Sequence, residues 1–273
     1  NSQSAGKSIV SYVLGHAICA GVITDISANL NDWPLVLDTL YANQSLQDLV
    51  NMNAGDSKFI KRRHARINGA TVKFFDQTAE NTMRLLKGTA SQKSSGSSFY
   101  YSNFVPILVN NYIAFKSGEK YSKILDEAFQ KKAGIAQEVS FVKSSYASPN
   151  YEGTATGVLR YTFFANRYDY LRIAKAMLDD WQNDTCVGKY LKNLYRNKIS
   201  KKANGKSPYS SSRSYAGFFH TDFIGVKGTV FGMNGYGGQA IFINFDSGKI
   251  VVAHAVHQNY NWRTLVLQAV SSN

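Results

Sequence analysis

The chain has 273 residues, 44% of them hydrophobic, and a formal net charge of +13. That size and apolar content suffice for a packed core. No run approaches the roughly 18 consecutive apolar residues of a membrane span, and residues 1–7 lack the charged-then-apolar layout of a signal peptide.

Two cysteines, Cys19 and Cys186, cannot build a disulfide framework and stand in no C-x-x-C or Cys/His cluster, so both are expected to be buried small hydrophobes. His254 and His257 are expected on opposite faces of a strand and its following turn, so neither a metal nor any other cofactor is expected. Positive charge gathers in 58–66 and 192–206. Clustered Lys and Arg suit a phosphate backbone, but no helix-turn-helix, RNA-recognition or zinc-finger pattern accompanies them. They read as solvated faces, and no nucleic-acid partner is expected.

In chain order, residues 8–23 carry apolar side chains at helical spacing, with Gly21 suited to the end, and predict a buried helix. Ser45 is a cap for a short helix through Leu46, Leu49, Val50 and Met52 that ends at Gly55. Residues 89–98 are almost entirely small and polar, hence loop. Helical patterns return at 105–115, 121–132 and 168–181. Beyond Pro208 the period falls to 2, predicting strands at 214–220, 225–231, 239–245 and 250–254 with a hairpin turn at 246–248. Residues 262–270 read as a closing helix. The plan is α+β in one domain over 1–273: helical from about 24 to 205, sheet-forming from about 210, with every strand after that point.

Ser4-Ala-Gly-Lys7 sets a hydroxyl and an amine at i and i+3, on one face of a helix start whose N–H groups and dipole favour a developing oxyanion. The same spacing recurs at Ser117 and Lys120 and at Ser140 and Lys143, so spacing alone does not select it. The surrounding order does. Ser4-Ala-Gly-Lys7-Ser8, then Gly15-His-Ala17-Ile18 and Gly21-Val-Ile23, resembles the nucleophile helix (S-x-x-K) of the serine β-lactamase-related hydrolases, which include class C β-lactamases and penicillin-binding proteins. The segment Leu46-Gln-Asp-Leu49-Val-Asn-Met52-Asn-Ala-Gly55 is similar to a further stretch of that family, Phe99-Tyr-Tyr101-Ser102-Asn103 to its Tyr-x-Asn motif, and Tyr236-Gly237-Gly238-Gln239 to its third motif.

The resemblance implies a β-lactamase/transpeptidase-like fold, an antiparallel sheet flanked by helices beside a mostly helical region. It implies Ser4 as nucleophile forming an acyl-enzyme, with Lys7 and Tyr101 as proton-transfer partners. The oxyanion hole would be the backbone N–H groups of Ser4 and Gln239. Asn103 would position Lys7 and the substrate, and Tyr236, Gly237 and Gly238 would line the substrate's path. Taken singly, Tyr101 could equally be one of 17 packing tyrosines and Gly237-Gly238 a bulge or turn. An aromatic residue before Gly-Gly, where the resistance enzymes have Lys-Thr-Gly, resembles the esterase and 6-aminohexanoate (nylon) oligomer hydrolase branch. The expected activity is therefore cleavage of a small-molecule ester or amide. The alternatives are a β-lactamase or D-Ala-D-Ala carboxypeptidase, and a catalytically silent binding protein of the same fold. The family has periplasmic and cytoplasmic bacterial members, so the resemblance leaves location open. It also implies a helix and strands ahead of the nucleophile helix, hence association with a preceding N-terminal segment.

Overall fold

The computed structural model describes residues 1–61, 64–67, 69–73, 78–92, 98–144, 157–201, 211–254 and 262–271. Arg62, Arg63, the centre of the polar loop at 93–97, residues 145–156, the lysines of 202–206 and His257 lie outside them.

Helix α1 (Ala5–Cys19) is buried on every side from Ala5 to Ala17, as its nearly unbroken apolar pattern requires. Next come α2 (Leu46–Val50), a hairpin of β1 (His64–Ile67) and β2 (Ala70–Lys73), and α3 (Ala79–Leu85). Helix α4 (Val105–Ser117) precedes α5 (Tyr121–Asp126), which runs on as π-helix through Glu127–Lys132. A second hairpin, β3 (Phe141–Lys143) with β4 (Leu159–Phe163), leads to α6 (Arg167–Gln182) and α7 (Cys186–Arg196). Strands β5 (Ile199–Ser200), β6 (Ser212–Ala216), β7 (Phe219–Phe223), β8 (Val230–Asn234), β9 (Ala240–Asn244) and β10 (Lys249–Ala253) then form a six-stranded sheet in the order β10-β9-β8-β7-β6-β5. Every pairing in it is antiparallel.

Alternation along β9 shows how the sheet is used. Ile241 and Ile243 enter the main core with α1, whereas Ala240 and Phe242 pack on the other face with Val266 and Val270 of α8 (Trp262–Ser271). Among the described residues no helix is long and apolar enough to cross a membrane.

The expected helices appear within a few residues of their predicted bounds, and the hairpin turn joins β9 to β10. Four expectations are corrected. Strands do precede residue 210: β1 to β5 are two to five residues long, and β4 is buried at every position, so none shows a clear period of 2. The single strand predicted at 214–220 is two, β6 and β7, reversed at Gly217 (φ 56°) and Phe218 (φ 67°). Positive φ at both central residues makes a tight hairpin whose twist matches its strands. The strand expected from Gly225 begins only at Val230, because Gly225 and Gly228 are left-handed. Finally, Cys19 and Cys186 are not free thiols but a disulfide joining the end of α1 to the start of α7, with Cα atoms 5.9 Å apart. A separation of 167 residues gives no sequence signal for that pairing.

Candidate active site

The first turn of α1 is wedged against β4. Ser2 N–H donates to the Phe163 carbonyl (2.8 Å), and Ser2 Oγ accepts from Phe163 N–H (3.1 Å). A Cβ on Gly6 would lie 2.0 Å from the Tyr161 carbonyl oxygen, so only glycine lets the helix seat this closely. Gln3, just before Ser4, has φ 48°, a left-handed conformation that costs a non-glycine residue of order 1 kcal/mol or more. Ser4 then occupies the helix-cap position without using its side chain as a cap.

That leaves the hydroxyl for another partner. Lys7 Nζ lies 3.0 Å from Ser4 Oγ, one turn along the helix, and Lys7 is 1% exposed. The amine also lies over two aromatic rings, 3.9 Å from the centroid of Tyr161 and 5.0 Å from that of Tyr101. Ser4, Lys7 and Tyr101 are thus gathered in one place from α1 and from the segment just before α4. Ser102 fixes that segment by accepting hydrogen bonds from Phe104 N–H (3.0 Å) and Val105 N–H (3.4 Å). Asn103 is buried, and its Oδ1 has no hydrogen-bond partner among the described residues.

The third motif sits in the turn between β8 and β9. Gly235 N–H donates to the Gln239 carbonyl at 2.8 Å, and Gln239 Nε2 donates to the Asn1 carbonyl at 3.0 Å. A Cβ on Gly235 would lie 2.8 Å from the Ser2 carbonyl oxygen. The turn is therefore held against residues 1 and 2, next to the helix start. Gly238 takes φ 80°, and Tyr236 stands 66% exposed. Gln239 Oε1 is buried without a hydrogen-bond partner among the described residues.

Two further groups adjoin the site that the sequence did not single out. His220 of β7 stacks on Tyr101 with centroids 6.5 Å apart, and its Nδ1 lies 2.7 Å from Lys201 Nζ. Lys201 also contacts Ser212 Oγ, and all three residues are buried. Burial, then the charges of Lys201 and Lys7, hold the His220 imidazole well below its usual range, so it stays neutral. Burial pulls the Lys201 amine down to about 7. Lys201 belongs to a basic run that reads as solvated surface, and only the pairing of β5 with β6 turns it inward.

The fold defined by this sheet and these helices is the β-lactamase/transpeptidase-like one, and comparison with solved structures shows the same. The chain superposes on a family VIII carboxylesterase with a TM-score of 0.68 at 14% identity, covering 99% of this chain and 82% of that one. It matches the octameric penicillin-binding protein homologue from Pyrococcus abyssi with a TM-score of 0.64 at 14% identity (99% and 64% covered). It matches SurE with a TM-score of 0.61 at 15% identity (92% and 58% covered). The chain thus spans less than two thirds of the length of the last two proteins. No family profile and no curated protein sequence matches it.

Proposed function

We propose that the chain is a serine hydrolase that cleaves a small ester or amide through an acyl-enzyme on Ser4. The observation that carries this reading is the 3.0 Å contact between Lys7 Nζ and Ser4 Oγ at a buried helix start. A serine hydroxyl is a weak nucleophile until a base takes its proton, and nucleophile and base must lie within hydrogen-bond reach. A lysine amine acts as that base in its uncharged form.

In this reading Ser4 Oγ attacks the substrate carbonyl carbon as its proton passes to Lys7. The carbonyl oxygen, now negative, is stabilised by the backbone N–H groups of Ser4 and Gln239. The tetrahedral adduct collapses, the bond to the leaving oxygen or nitrogen breaks, and Tyr101 gives its hydroxyl proton to the leaving group while taking up the proton held by Lys7, which leaves both residues as they began. Water then repeats the sequence on the acyl-enzyme, releasing a carboxylate and restoring Ser4. Asn103, whose buried Oδ1 has no hydrogen-bond partner among the described residues, would accept from a donor of the substrate.

The residue before Gly237-Gly238 is Tyr236, not a basic one, which supports ester or amide cleavage over β-lactam turnover. A short-chain p-nitrophenyl ester and a chromogenic cephalosporin, assayed side by side, test this. Ester turnover that falls to background in Ser4→Ala, with the cephalosporin left intact, is expected. Full ester turnover in Ser4→Ala overturns the mechanism. Preferred turnover of the cephalosporin assigns the β-lactamase reading instead, and inertness toward both favours a silent binding protein.

A further inference from the structure

The far end of α1 carries a second constellation. His16 lies about 18 Å along the helix from Ser4, three turns or so at 1.5 Å per residue. It lines a cavity of about 530 Å³ whose walls come from α1, the α5 helix with its π-helical continuation, and the start of α7. That volume is in the range of small-molecule sites. Nothing in the acyl-transfer chemistry uses it.

Its walls and its rim differ in character. Val22, Ile124 and Val187 make an apolar wall, closed on one side by the Cys19–Cys186 disulfide. Asp180 at the floor is 2% exposed and fully engaged: it accepts from Tyr12 Oη at 2.8 Å, from Thr185 Oγ1 at 2.8 Å and from Lys132 Nζ at 3.5 Å. Glu127 is paired with Lys131 at 2.9 Å. The two remaining lysines of the rim, Lys120 and Lys123, have no acidic partner within 4.0 Å among the described residues.

His16 lines the cavity from α1. It is 5% exposed, and its Nε2 has no hydrogen-bond partner among the described residues. Buried polar atoms are seldom left this way. Burial pulls its imidazole down to about 4, so near neutral pH it is an uncharged hydrogen-bonding group and adds no charge to the cavity. Within the cavity the uncompensated charge is therefore positive, and it lies at the rim above an apolar wall.

We propose that this cavity binds a small amphipathic organic anion, an aliphatic carboxylate whose chain lies along Val22, Ile124 and Val187 and whose head group meets Lys120 and Lys123. An inorganic anion would leave the apolar wall uncovered, and an apolar cation would meet the two unpaired lysines. The site is separate from the one built on Ser4, so its occupancy does not depend on the hydrolase reading.

Decanoate serves as probe, followed by titration calorimetry on the full chain, with decyltrimethylammonium as its charge-reversed counterpart. The variants are Ala20→Trp, which fills the cavity mouth from an exposed position, and Lys120→Glu/Lys123→Glu, which reverses the exposed rim charge. None of these positions is in the core or near Ser4. Decanoate is expected to bind the parent protein, decyltrimethylammonium to bind at least tenfold more weakly, and both variants to lose tenfold or more in decanoate affinity. Absence of decanoate binding, equal binding of the two amphiphiles, or undiminished binding in Ala20→Trp overturns the proposal.

Discussion

Ser4 and Lys7 meet because they lie one turn apart at the start of α1, and Gly6 lets that start press on β4. Tyr101 reaches the same point from the segment before α4. Replacing it with phenylalanine keeps the rings of Phe99, Tyr215 and His220 packed while removing the hydroxyl. Tyr101→Phe should therefore retain the melting temperature and lose about 10²–10⁴ in ester turnover, the usual contribution of a positioned acid–base group; unchanged turnover removes Tyr101 from the mechanism. Lys201 makes a prediction about stability. In the unfolded chain a lysine holds its proton to about pH 10.4. In the folded protein burial lets Lys201 release it near 7. Between these limits the unfolded state binds more protons, so the Lys201 contribution to stability rises with pH, and the full cost of burying the charge falls below pH 7. Urea midpoints measured between pH 7 and 9.5 should climb more steeply in the parent protein than in Lys201→Met. Identical slopes would show that Lys201 is not held down.

Among the elements, α1 is the frame from which the site hangs, and it is tied at both ends. Its start is bonded to β4 through Ser2, Ser8 Oγ donates to the Phe218 carbonyl at 2.7 Å in the tip of the β6–β7 hairpin, and its end is linked by the disulfide to α7. A cross-link closing so long a loop typically contributes about 2–4 kcal/mol. The double variant Cys19→Ser/Cys186→Ser should melt roughly 5 °C or more below the parent, and dithiothreitol should lower the parent to the same point. A parent unaffected by reductant would argue that the two sulfurs are not joined. The helices were legible because α1, α4 and α6 are long and periodic. Strands β9 and β10 were legible because their apolar runs survive burial, whereas β6 merged with the start of β7 and β8 was expected from Gly225 rather than Val230. What could not be read is what depends on a partner distant in the chain: the Cys19–Cys186 pair, the inward turn of Lys201, and β4, whose five residues are all buried and so show no alternation. The Gly217-Phe218 reversal had one cue, the glycine, but a phenylalanine at positive φ hid the turn.

At the scale of the whole molecule, three segments far apart in sequence converge on the start of one helix: residues 1–7, the stretch ending at Asn103, and the turn before β9. The candidate site was readable because each segment carries a local motif whose order in the chain is itself informative. The neighbouring His220 and Lys201 carry no such motif and enter only through the register of β5, β6 and β7. Identities of 14–15% with proteins of the same fold leave the chemistry to be established on this chain itself. The most direct measurement is covalent labelling with a fluorophosphonate, read by intact mass and then by peptide mapping. The account predicts one adduct per chain, located on Ser4, absent from Ser4→Ala and greatly slowed in Lys7→Ala. A native protein that takes no label, or an adduct that maps to another residue and persists in Ser4→Ala, contradicts it.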